Sequence, residues 1–298
     1  MSAGAGLGAL APAKINLFLH VGPAESGGLH AISSLVVFAD LGDRLKLELT
    51  ETPRLTLEGR FADALRREPA GGNLVLRAEA LFRTHVDASL CPVAWTLDKQ
   101  IPVAAGLGGG SADGAAALRL LQRASGVAGG GLAQAAQALG ADGPMCLASR
   151  PAIALGFGHD LQPAPSLPEI WTVLVNPMKP CPTGTVYRAF DKAGASGRAE
   201  TPELPKRFAS AGQLCAFLRE ATRNDLQAPA GSVEPSINEA LALLGAGSHT
   251  LLTRMSGSGA TCFALCASRN AALALAAQVS GLKPRWWVQA CTLGPQEG

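Results

Sequence analysis

The sequence predicts an α+β protein of two domains, and three observations lead to this prediction. The chain has 298 residues, 48% of them hydrophobic and 16% charged, which is enough for more than one buried core. Stretches of alternating polarity, typical of strands, are interspersed with helical stretches, a mixture typical of α+β folds. Such a mixture occurs on both sides of residues 155–170, so we expect domains at 1–160 and 161–298.

The first predicted strand covers residues 13–21. Ile15 and Leu17 alternate with Lys14 and Asn16, as in a strand with one buried face. The side chains of Lys14 and Asn16 then project from the same face. Lys14 is the best candidate for a functional cation because its neighbours are apolar. An edge-strand lysine that reaches solvent would give the same local pattern.

The other elements follow from the same patterns. Strands are predicted at 33–38, 44–50, around Trp95, and at 152–155, 171–176, 261–266 and 285–291. Helices are predicted at 73–86, directly after the glycines at 106–110, up to Gly140, near 235–244 and near 270–280. Residues 191–212 are rich in Ala, Gly, Ser and Pro, and we expect an irregular segment there.

The most informative segment is Gly-Leu-Gly-Gly-Gly-Ser-Ala-Asp at 106–113, which an Ala/Leu-rich helix follows at once. A glycine loop that opens a helix presents unpaired N–H groups at the positive end of the helix dipole, which suits a phosphate. Glycine also lets the backbone approach a ligand closely. A surface loop capped by Ser111 or Asp113 is the alternative interpretation.

Three familiar phosphate loops do not fit this segment. A P-loop ends in Lys-Ser/Thr, but residues 100–150 contain no lysine. A dinucleotide-binding loop needs an acidic residue about 20 positions further on, whereas residues 114–141 contain no Asp or Glu. A protein-kinase loop would be followed by His-Arg-Asp and Asp-Phe-Gly, which are absent from the sequence. The remaining interpretation is an anion-binding loop that works with cationic and acidic residues from other parts of the chain.

Charge and composition exclude several classes of protein. The net charge is +2 without a basic run, which argues against a nucleic-acid partner. No apolar stretch reaches about 18 residues, and residues 1–6 lack the features of a secretion signal, so no membrane association is expected. The seven scattered cysteines favour buried thiols in a reducing compartment over disulfides or zinc ligands, and we expect a cytoplasmic protein.

A few other residues have both a chemical and a structural interpretation. Asp142, between a helix end and Pro144, is either a capping residue or the base that phosphoryl transfer often needs. The turn at 257–260 is either an ordinary hairpin or a second nest for an anion. His30 and Tyr187, the only tyrosine in the chain, also have ordinary roles as a satisfied polar group and a packing residue.

Taken together, the motifs resemble the galacto-, homoserine, mevalonate and phosphomevalonate kinase (GHMP) superfamily nearly from end to end. They are Ala-Pro-Ala-Lys-Ile-Asn-Leu at 11–17, Gly-Leu-His at 28–30, Gly-Asn-Leu-Val at 72–75, Lys-Gln-Ile-Pro at 99–102 before the glycines, Gly-Ala-Asp at 140–142, Gly-Phe-Gly at 156–158, Pro-Thr-Gly-Thr-Val-Tyr at 182–187, Asn-Asp at 224–225 and Ser-Gly-Ser-Gly-Ala at 256–260. Lys14 to Asn16, His30 and the turn at 140–142 resemble members whose acceptor alcohol is linked to cytidine diphosphate.

This resemblance implies a two-domain GHMP kinase fold. The N-terminal domain would resemble ribosomal protein S5 domain 2 and bind ATP, and a ferredoxin-like C-terminal domain would contribute to the substrate cleft. The activity implied is transfer of a phosphoryl group from ATP, with Mg²⁺, to a small-molecule alcohol. Asp142 would accept the hydroxyl proton, and Lys14 would hold that carboxylate and the developing alkoxide.

The resemblance also implies binding residues. Those for ATP are Asn73, Lys99, Pro102, Val103, Ala104, Ala105, Gly106, Leu107, Gly108, Gly109, Gly110, Ser111 and Ala112, with Ser111 near the phosphate or Mg²⁺. Those for the cytidine diphosphate end of the substrate are Asn16, His30, Thr183 and Tyr187. Asn and His side chains can read the edge of cytosine, and Tyr187 offers a stacking face.

Two features leave other functions open. Leu29 stands where members of the family often have an aromatic residue, so base stacking would fall largely to Tyr187. The Ala/Pro-rich insert at 191–212 is a second departure from the pattern of the family, in the substrate domain. The alternatives are a GHMP kinase for mevalonate, homoserine or a sugar, and a nucleotide-binding regulator without catalysis. The presence of both Lys14 and Asp142 favours an enzyme.

Overall fold

The computed structural model describes residues 6–25, 27–67, 72–127, 130–194 and 198–294. Residues 1–5, most of the segment tested for a secretion signal, therefore lie outside the described residues, as do 195–197 of the insert. The chain forms two compact units. Unit 1 comprises Met1–Ala13, Gly42–Val103 and Gly108–Ser149, and unit 2 comprises Lys14–Leu41, Ala104–Leu107 and Arg150–Gly298. The predicted domain boundary near residue 160 stays a prediction.

Both units combine strands and helices. The strands in the described residues are β1 (Leu7–Asn16), β2 (His20–Ala24), β3 (His30–Leu49), β4 (Arg54–Glu58), β5 (Val93–Asp98), β6 (Ala152–Gly156), β7 (Asp160–Pro163), β8 (Ile170–Asn176), β9 (Thr250–Met255), β10 (Cys262–Cys266) and β11 (Trp287–Gly294). The helices there are α1 (Ala62–Arg66), α2 (Leu74–His85), α3 (Gly109–Ser125), α4 (Leu132–Leu139), α5 (Gly143–Ala148), α6 (Thr183–Lys192), α7 (Ala211–Ala221), α8 (Gln227–Val233), α9 (Ser236–Gly245) and α10 (Arg269–Leu282).

In unit 1, strands β4 and β5 are parallel, and β5 pairs antiparallel with the second part of β3. Helix α3 packs against α2 and α5, and α2 also packs against α4. Small residues allow this close packing: a Cβ at Gly114 of α3 would lie 3.1 Å from the Leu74 carbonyl oxygen of α2. The predicted helix at 73–86 is confirmed, and Asn73 caps it by accepting a hydrogen bond from Val75 N at 2.9 Å.

In unit 2, strands β11, β8, β10 and β9 lie side by side in that order, each antiparallel to the next. Helices α9 and α10 pack on these strands and bury Ile237, Leu244 and Leu275 among the core residues. The first part of β3 pairs with β2 and β6. The predicted strands at 152–155, 171–176, 261–266 and 285–291 and the helices near 235–244 and 270–280 are confirmed to within a few residues.

The prediction of a single half-buried strand at 13–21 is wrong. Strand β1 ends at Asn16 and β2 begins at His20. Between them the backbone changes partner, because Leu17 N donates to Leu35 O and Leu19 N donates to Arg223 O. Every residue from 11 to 21 is buried, so both faces of this stretch are covered by protein.

The predicted break between the strands at 33–38 and 44–50 is also wrong, because β3 runs through Gly42 and Asp43 without interruption. Gly42 is needed there for close packing: a Cβ would lie 2.2 Å from the Ala11 carbonyl oxygen of β1, which pairs with β3. The irregular segment predicted at 191–212 is confirmed at 198–210, which contains neither helix nor strand apart from one bridge at Arg207. The prediction is wrong at its two ends, because residues 191–192 belong to α6 and residues 211–212 to α7. Within the described stretches, none of the helices combines the length and apolarity needed to cross a bilayer.

Candidate active site

We call residues 102–112 the glycine segment. Residues 104–107, which we call its first half, belong to unit 2 and are fixed through their carbonyl groups. The Ala105 carbonyl accepts hydrogen bonds from Thr261 Oγ1 at 2.6 Å and Thr261 N at 3.2 Å. The Gly106 carbonyl accepts one from Ser256 Oγ at 3.2 Å, and the Leu107 carbonyl accepts one from Lys14 N at 2.9 Å. Three successive carbonyl oxygens, which would repel a phosphate, are therefore turned into the protein.

The turn at 256–260 supplies one of these donors, Ser256 Oγ, and Thr261, which supplies two more, follows the turn directly. The turn closes the β9–β10 hairpin, in which Met255 pairs with Cys262. Asn224 Nδ2 holds it from behind by donating to Met255 O at 2.8 Å and to Gly257 O at 2.9 Å. The hairpin interpretation of this turn is confirmed, while a role as an anion nest stays a prediction.

Ser256 connects the turn to the first strand as well as to the glycine segment. Its hydroxyl is fully buried, accepts a hydrogen bond from Asn16 N at 3.2 Å, and donates to the Gly106 carbonyl. One oxygen atom thus joins β1 to the glycine segment. The position of the β1 backbone beside Lys14 therefore depends on this serine.

Lys14 and Asn16 lie on the same face of β1, as predicted. Lys14 Nζ donates to Asn16 Oδ1 at 2.9 Å, and Asn16 Nδ2 donates to Ser34 Oγ at 2.7 Å. Lys14 is only 6% exposed, so the alternative of an edge-strand lysine extended into solvent is wrong. Its ammonium group is held by the protein in a defined position, as a functional cation requires.

The second half of the glycine segment, in unit 1, begins helix α3. Gly108 has a φ of +63°, a conformation that favours glycine, and the helix starts at Gly109. The alternative of a cap at Ser111 or Asp113 is therefore wrong, because both residues lie inside the helix. Gly110 is exposed and Ser111 is half-buried. The first N–H groups of a 17-residue helix are thus available to an anion at its N-terminus.

Lys99, a predicted ATP-binding residue, lies in a buried ion cluster of unit 1. Its ammonium group is 2.5 Å from Asp43 Oδ2 and 2.8 Å from Asp113 Oδ2. Burial lowers the pKa of Lys99, but the Asp113 and Asp43 carboxylates outweigh this effect and raise the pKa above its ordinary value. Lys99 is therefore charged, and only 2% of the residue is exposed.

Asp142 is half-buried at the start of α5 in unit 1. Its side chain makes no capping hydrogen bond to that helix, which removes the support for the capping interpretation. The turn that carries it is fixed by close packing, since a Cβ at Gly143 would lie 1.9 Å from the Ala136 carbonyl oxygen of α4. Lys14 and Asp142 belong to different units, and their partnership stays a prediction.

Of the four residues predicted to bind the substrate, Asn16 contacts Lys14 as described above. The other three belong to two groups in unit 2. The His30 and Tyr187 rings lie 4.9 Å apart with a tilt of 38°, while His30 Nδ1 is 2.9 Å from Gly22 O. His30 Nε2 is 3.4 Å from Asp191 Oδ1. In the other group, the exposed Thr183 shares a hydrogen bond of 2.9 Å with Ser258 of the hairpin turn.

Sequence reasoning missed some of the residues that support these groups. Phe190 and Asp191 also contact His30, and they follow Tyr187 by three and four positions on α6. That helical spacing was a usable signal. Asn176 is the last residue of β8, and its Nδ2 donates to Oγ1 of Thr261, the residue before β10, at 2.9 Å. Neither residue gave such a signal.

Comparison with known proteins identifies the class of this protein. Residues 73–150 match the model of the GHMP kinases N-terminal domain, and residues 204–283 match that of the GHMP kinases C-terminal domain. The chain belongs to the GHMP kinase family, and it is an ATP-dependent phosphotransferase that acts on a small molecule. The predicted two-domain GHMP kinase fold of class α+β is confirmed.

Individual relatives show which group of GHMP kinases the chain belongs to. The chain is 49% identical to a 4-diphosphocytidyl-2-C-methyl-D-erythritol kinase of Caulobacter vibrioides, with 96% of this chain and 99% of that protein covered. It is 44% identical to the enzyme of the same name from Paramagnetospirillum magneticum, over 93% of this chain and 95% of that protein. A crystal structure of 4-(cytidine 5'-diphospho)-2C-methyl-D-erythritol kinase matches with a TM-score of 0.78 and 32% identity, covering 97% of this chain and 100% of that one. Within the GHMP kinases, the chain is a member of this kinase family.

Proposed function

We propose that this chain transfers the γ-phosphoryl group of ATP to the 2-hydroxyl of 4-diphosphocytidyl-2-C-methyl-D-erythritol, in the methylerythritol phosphate route to isoprenoids. The similarity to enzymes of that name over nearly the whole chain supports the substrate. The observation that carries the chemistry is the bond from Lys14 N to Leu107 O at 2.9 Å, because it fixes the strand of the candidate cation against the glycine segment.

The ATP phosphates bind at the glycine segment in this proposal. Its first half turns its carbonyls into unit 2, and its second half presents the N-terminus of α3. Backbone N–H groups and the helix dipole then stabilise the negative charge of the phosphates, which phosphoryl transfer needs more than covalent chemistry. Asn73 and Lys99 complete the predicted nucleotide region from α2 and from the loop after β5.

Mg²⁺ fits the residues near this segment as an ion carried largely by ATP. The described residues hold no cluster of three or more His, Cys, Asp or Glu side chains that would form a metal cage. Mg²⁺ commonly binds through phosphates, waters and one or two protein oxygens. The half-buried Ser111 hydroxyl is an oxygen ligand of that kind. When bound, Mg²⁺ would neutralise charge on the transferred phosphoryl group.

Asp142 is the general base and Lys14 the cation that stabilises the developing alkoxide. The 2-hydroxyl oxygen forms a bond to the γ-phosphorus, the bond from that phosphorus to the bridging oxygen breaks, and ADP leaves. The hydroxyl proton moves to the Asp142 carboxylate. The contact of Lys14 with Asn16 holds the ammonium in position, because it fixes an otherwise flexible side chain.

The cytidine end of the substrate binds at His30, Tyr187, Asn16 and Thr183 in unit 2. The His30 and Tyr187 rings lie 4.9 Å apart. In this proposal His30 supplies a ring edge and Tyr187 a ring face to the base. Leu29 is 58% exposed beside His30 and offers apolar contact without aromatic stacking. We place the reaction in the cytoplasm, because all seven cysteines are free and six are buried, as in proteins of a reducing compartment.

A transfer assay with labelled ATP tests the proposal. Purified protein is incubated with 4-diphosphocytidyl-2-C-methyl-D-erythritol, mevalonate, homoserine or galactose, each with Mg²⁺. We expect transfer to the cytidine compound alone, with competitive inhibition by CMP or CDP at the acceptor site. Transfer to another alcohol would identify a different GHMP kinase. ATP binding without transfer to any acceptor, in folded protein, would favour the regulator instead.

A further inference from the structure

A buried arginine lies in strand β9 of unit 2, at a position where the alternation of the strand favours an apolar side chain. Arg254 is 6% exposed, and Leu252, two residues before it on the same side of the strand, is buried as well. Burial of a guanidinium group is costly unless its N–H groups and its charge are compensated. Within the described residues, the four oxygen atoms that accept hydrogen bonds from Arg254 all belong to neutral groups.

Three of these oxygen atoms lie at the C-terminal end of α7. Arg254 Nη2 donates to Leu218 O at 2.9 Å and to Thr222 O at 3.0 Å, and Nη1 donates to Thr222 Oγ1 at 2.8 Å. The last carbonyl groups of a helix lack partners within the helix and form the negative end of its dipole, so they stabilise a cation. Burial lowers the pKa of Arg254 to about 10, which leaves the guanidinium group charged at neutral pH.

The fourth oxygen atom belongs to the backbone that follows Lys14. Arg254 Nη1 donates to Leu17 O at 2.8 Å, while the N–H of Leu17 donates to a carbonyl of β3 at 2.8 Å. Ser256, two residues after Arg254, accepts from Asn16 N. Two side chains of the β9–β10 hairpin thus bind consecutive residues of the backbone after Lys14. Of these two, Arg254 also connects that backbone to the end of α7.

We propose that Arg254 is a positioning residue for phosphoryl transfer, which fixes the backbone after β1 to the end of α7 and thereby holds the Lys14 ammonium group in place. Lys14 Nζ donates to Asn16 Oδ1, so a shift of the backbone at residues 16 and 17 moves the acceptor of that bond. A misplacement of about 1 Å can lower a rate about 100-fold. The guanidinium group suits this role because its planar fork binds several oxygen atoms in fixed directions. The effect on the rate rests on the proposed function, whereas the effect on the backbone does not.

Substitution of two arginines that connect α7 to its surroundings tests the proposal. Arg254→Gln removes the charge and most of the donors, and it should lower kcat at least about tenfold while KM for ATP stays within about threefold of wild type. Arg254→Lys keeps a cation at the end of α7 and should recover part of kcat. Arg219→Gln is the matched control. Arg219 is exposed in the last turn of α7, and its Nη2 donates to Leu251 O of the same strand β9 at 2.5 Å. Its loss should leave kcat unchanged.

Two further measurements separate positioning from a merely structural role. Leu275→Ala opens a cavity in the core of unit 2 and lowers stability, but the folded variant should retain kcat. Amide hydrogen exchange followed by mass spectrometry reports the backbone directly. In Arg254→Gln, residues 14–19 should exchange at least about tenfold faster than in wild type, relative to strands β8 and β10 of the same sample. Exchange of residues 14–19 should be unchanged in Arg219→Gln.

Either an unchanged kcat or an unchanged exchange of residues 14–19 in Arg254→Gln would overturn the proposal. A loss of kcat in Leu275→Ala as large as that in Arg254→Gln would overturn it as well. If Arg254→Gln failed to fold, Arg254→Lys would decide by the same two criteria. Failure of both variants to fold would show that Arg254 is needed for the fold itself. Wild-type protein that transferred no phosphoryl group would refute the proposed function, while the exchange data, which need no substrate, would still show whether Arg254 holds the backbone after Lys14.

Discussion

The two halves of the glycine segment are held by different kinds of interaction. In unit 2, residues 104–107 are fixed by neutral hydrogen bonds from Ser256, Thr261 and the backbone of Lys14, each to a carbonyl oxygen. In unit 1, the half that starts α3 lies beside the charged pair of Lys99 and Asp43, with Asp113 completing the cluster. Neutral bonds fix one half of the segment, and a buried ion cluster supports the other.

The two kinds of support have different effects near a negatively charged phosphate. Neutral donors hold the carbonyl oxygens away from the phosphate through ordinary hydrogen bonds. Each of these bonds contributes about 1 kcal/mol net to stability. A buried ion pair gives little net stability, but breaking it is costly, so it fixes a position strongly. The half of the segment that begins α3 is therefore held rigidly in place.

The largest effect on activity is expected at Asp142, which belongs neither to the neutral hydrogen bonds nor to the ion cluster that hold the glycine segment. If the glycine segment binds ATP by itself, Asp142→Asn should leave ATP affinity nearly unchanged, within about twofold. It should lower kcat by about 100- to 10,000-fold, because a general base contributes that much to a rate. Single-turnover kinetics and equilibrium binding of ATP measure the two effects separately.

The matched control for Asp142→Asn is Asp160→Asn, at an exposed aspartate in β7 of unit 2. It should retain both kcat and ATP affinity. Equal loss of turnover and of ATP affinity in Asp142→Asn would show that Asp142 supports the nucleotide site. The start of α5 would then bind the phosphates together with the two halves of the glycine segment.

A second prediction separates close packing from backbone strain in the unit 2 half. Gly106 has a φ of +76°, and a Cβ there would lie 2.5 Å from the Gly259 carbonyl oxygen. Gly126 at the end of α3 has a similar φ of +67° but nothing within 4 Å. Gly126→Ala should therefore cost about 1–2 kcal/mol of unfolding free energy from strain alone. Gly106→Ala should cost about 3–5 kcal/mol and raise KM for ATP, because the backbone of the turn must also move.

Chemical denaturation and ATP titration of both variants measure these effects. Equal losses of stability in the two alanine variants would mean that the segment yields easily at Gly106. The unit 2 half would then be mobile despite its three occupied carbonyls.

Much of the fold was predictable from sequence because periodicity reports burial directly. The helix at 73–86 and the strand at 171–176 have clear patterns and are confirmed. The single strand predicted at 13–21 failed because residues 11–21 are buried on both faces, where alternation loses its meaning. The break predicted at Gly42 was wrong because this glycine is needed for a close approach to Ala11, which is more than 30 positions away in the sequence. Local sequence patterns do not report such a contact.

Candidates for the chemical residues of the site are easier to recognise in the sequence than the residues that support them. The glycines and Asp142 stand out because their types and order are specific to a reaction class. Thr261 and Asp43, by contrast, contact the glycine segment or its supporting cluster from more than 50 positions away. Their local patterns are those of ordinary strand residues. Only the folded structure brings these donors and acceptors within hydrogen-bond distance.

The smallest effect, and the sharpest test of the neutral support, comes from a pair of serines. Ser256→Ala removes the hydroxyl that accepts from Asn16 N and donates to Gly106 O, so two buried backbone groups lose their partner. The loss of unfolding free energy should be about 1–3 kcal/mol. Displacement of the Lys14 strand against the glycine segment should also lower kcat, by about tenfold, more than it changes KM for the acceptor.

Ser236→Ala is the matched substitution, because Ser236 Oγ is also buried but has no hydrogen-bond partner in the described residues. Removing it should leave stability equal or slightly higher, since no bond is lost and alanine favours the first turn of α9. Denaturant unfolding and steady-state kinetics of both variants, measured together, isolate the contribution of the Ser256 hydrogen bonds. If Ser256→Ala behaved like Ser236→Ala in both measurements, the hydroxyl bridge would not position the segment. Alignment of Lys14 would then rest on the bond from its own backbone to Leu107.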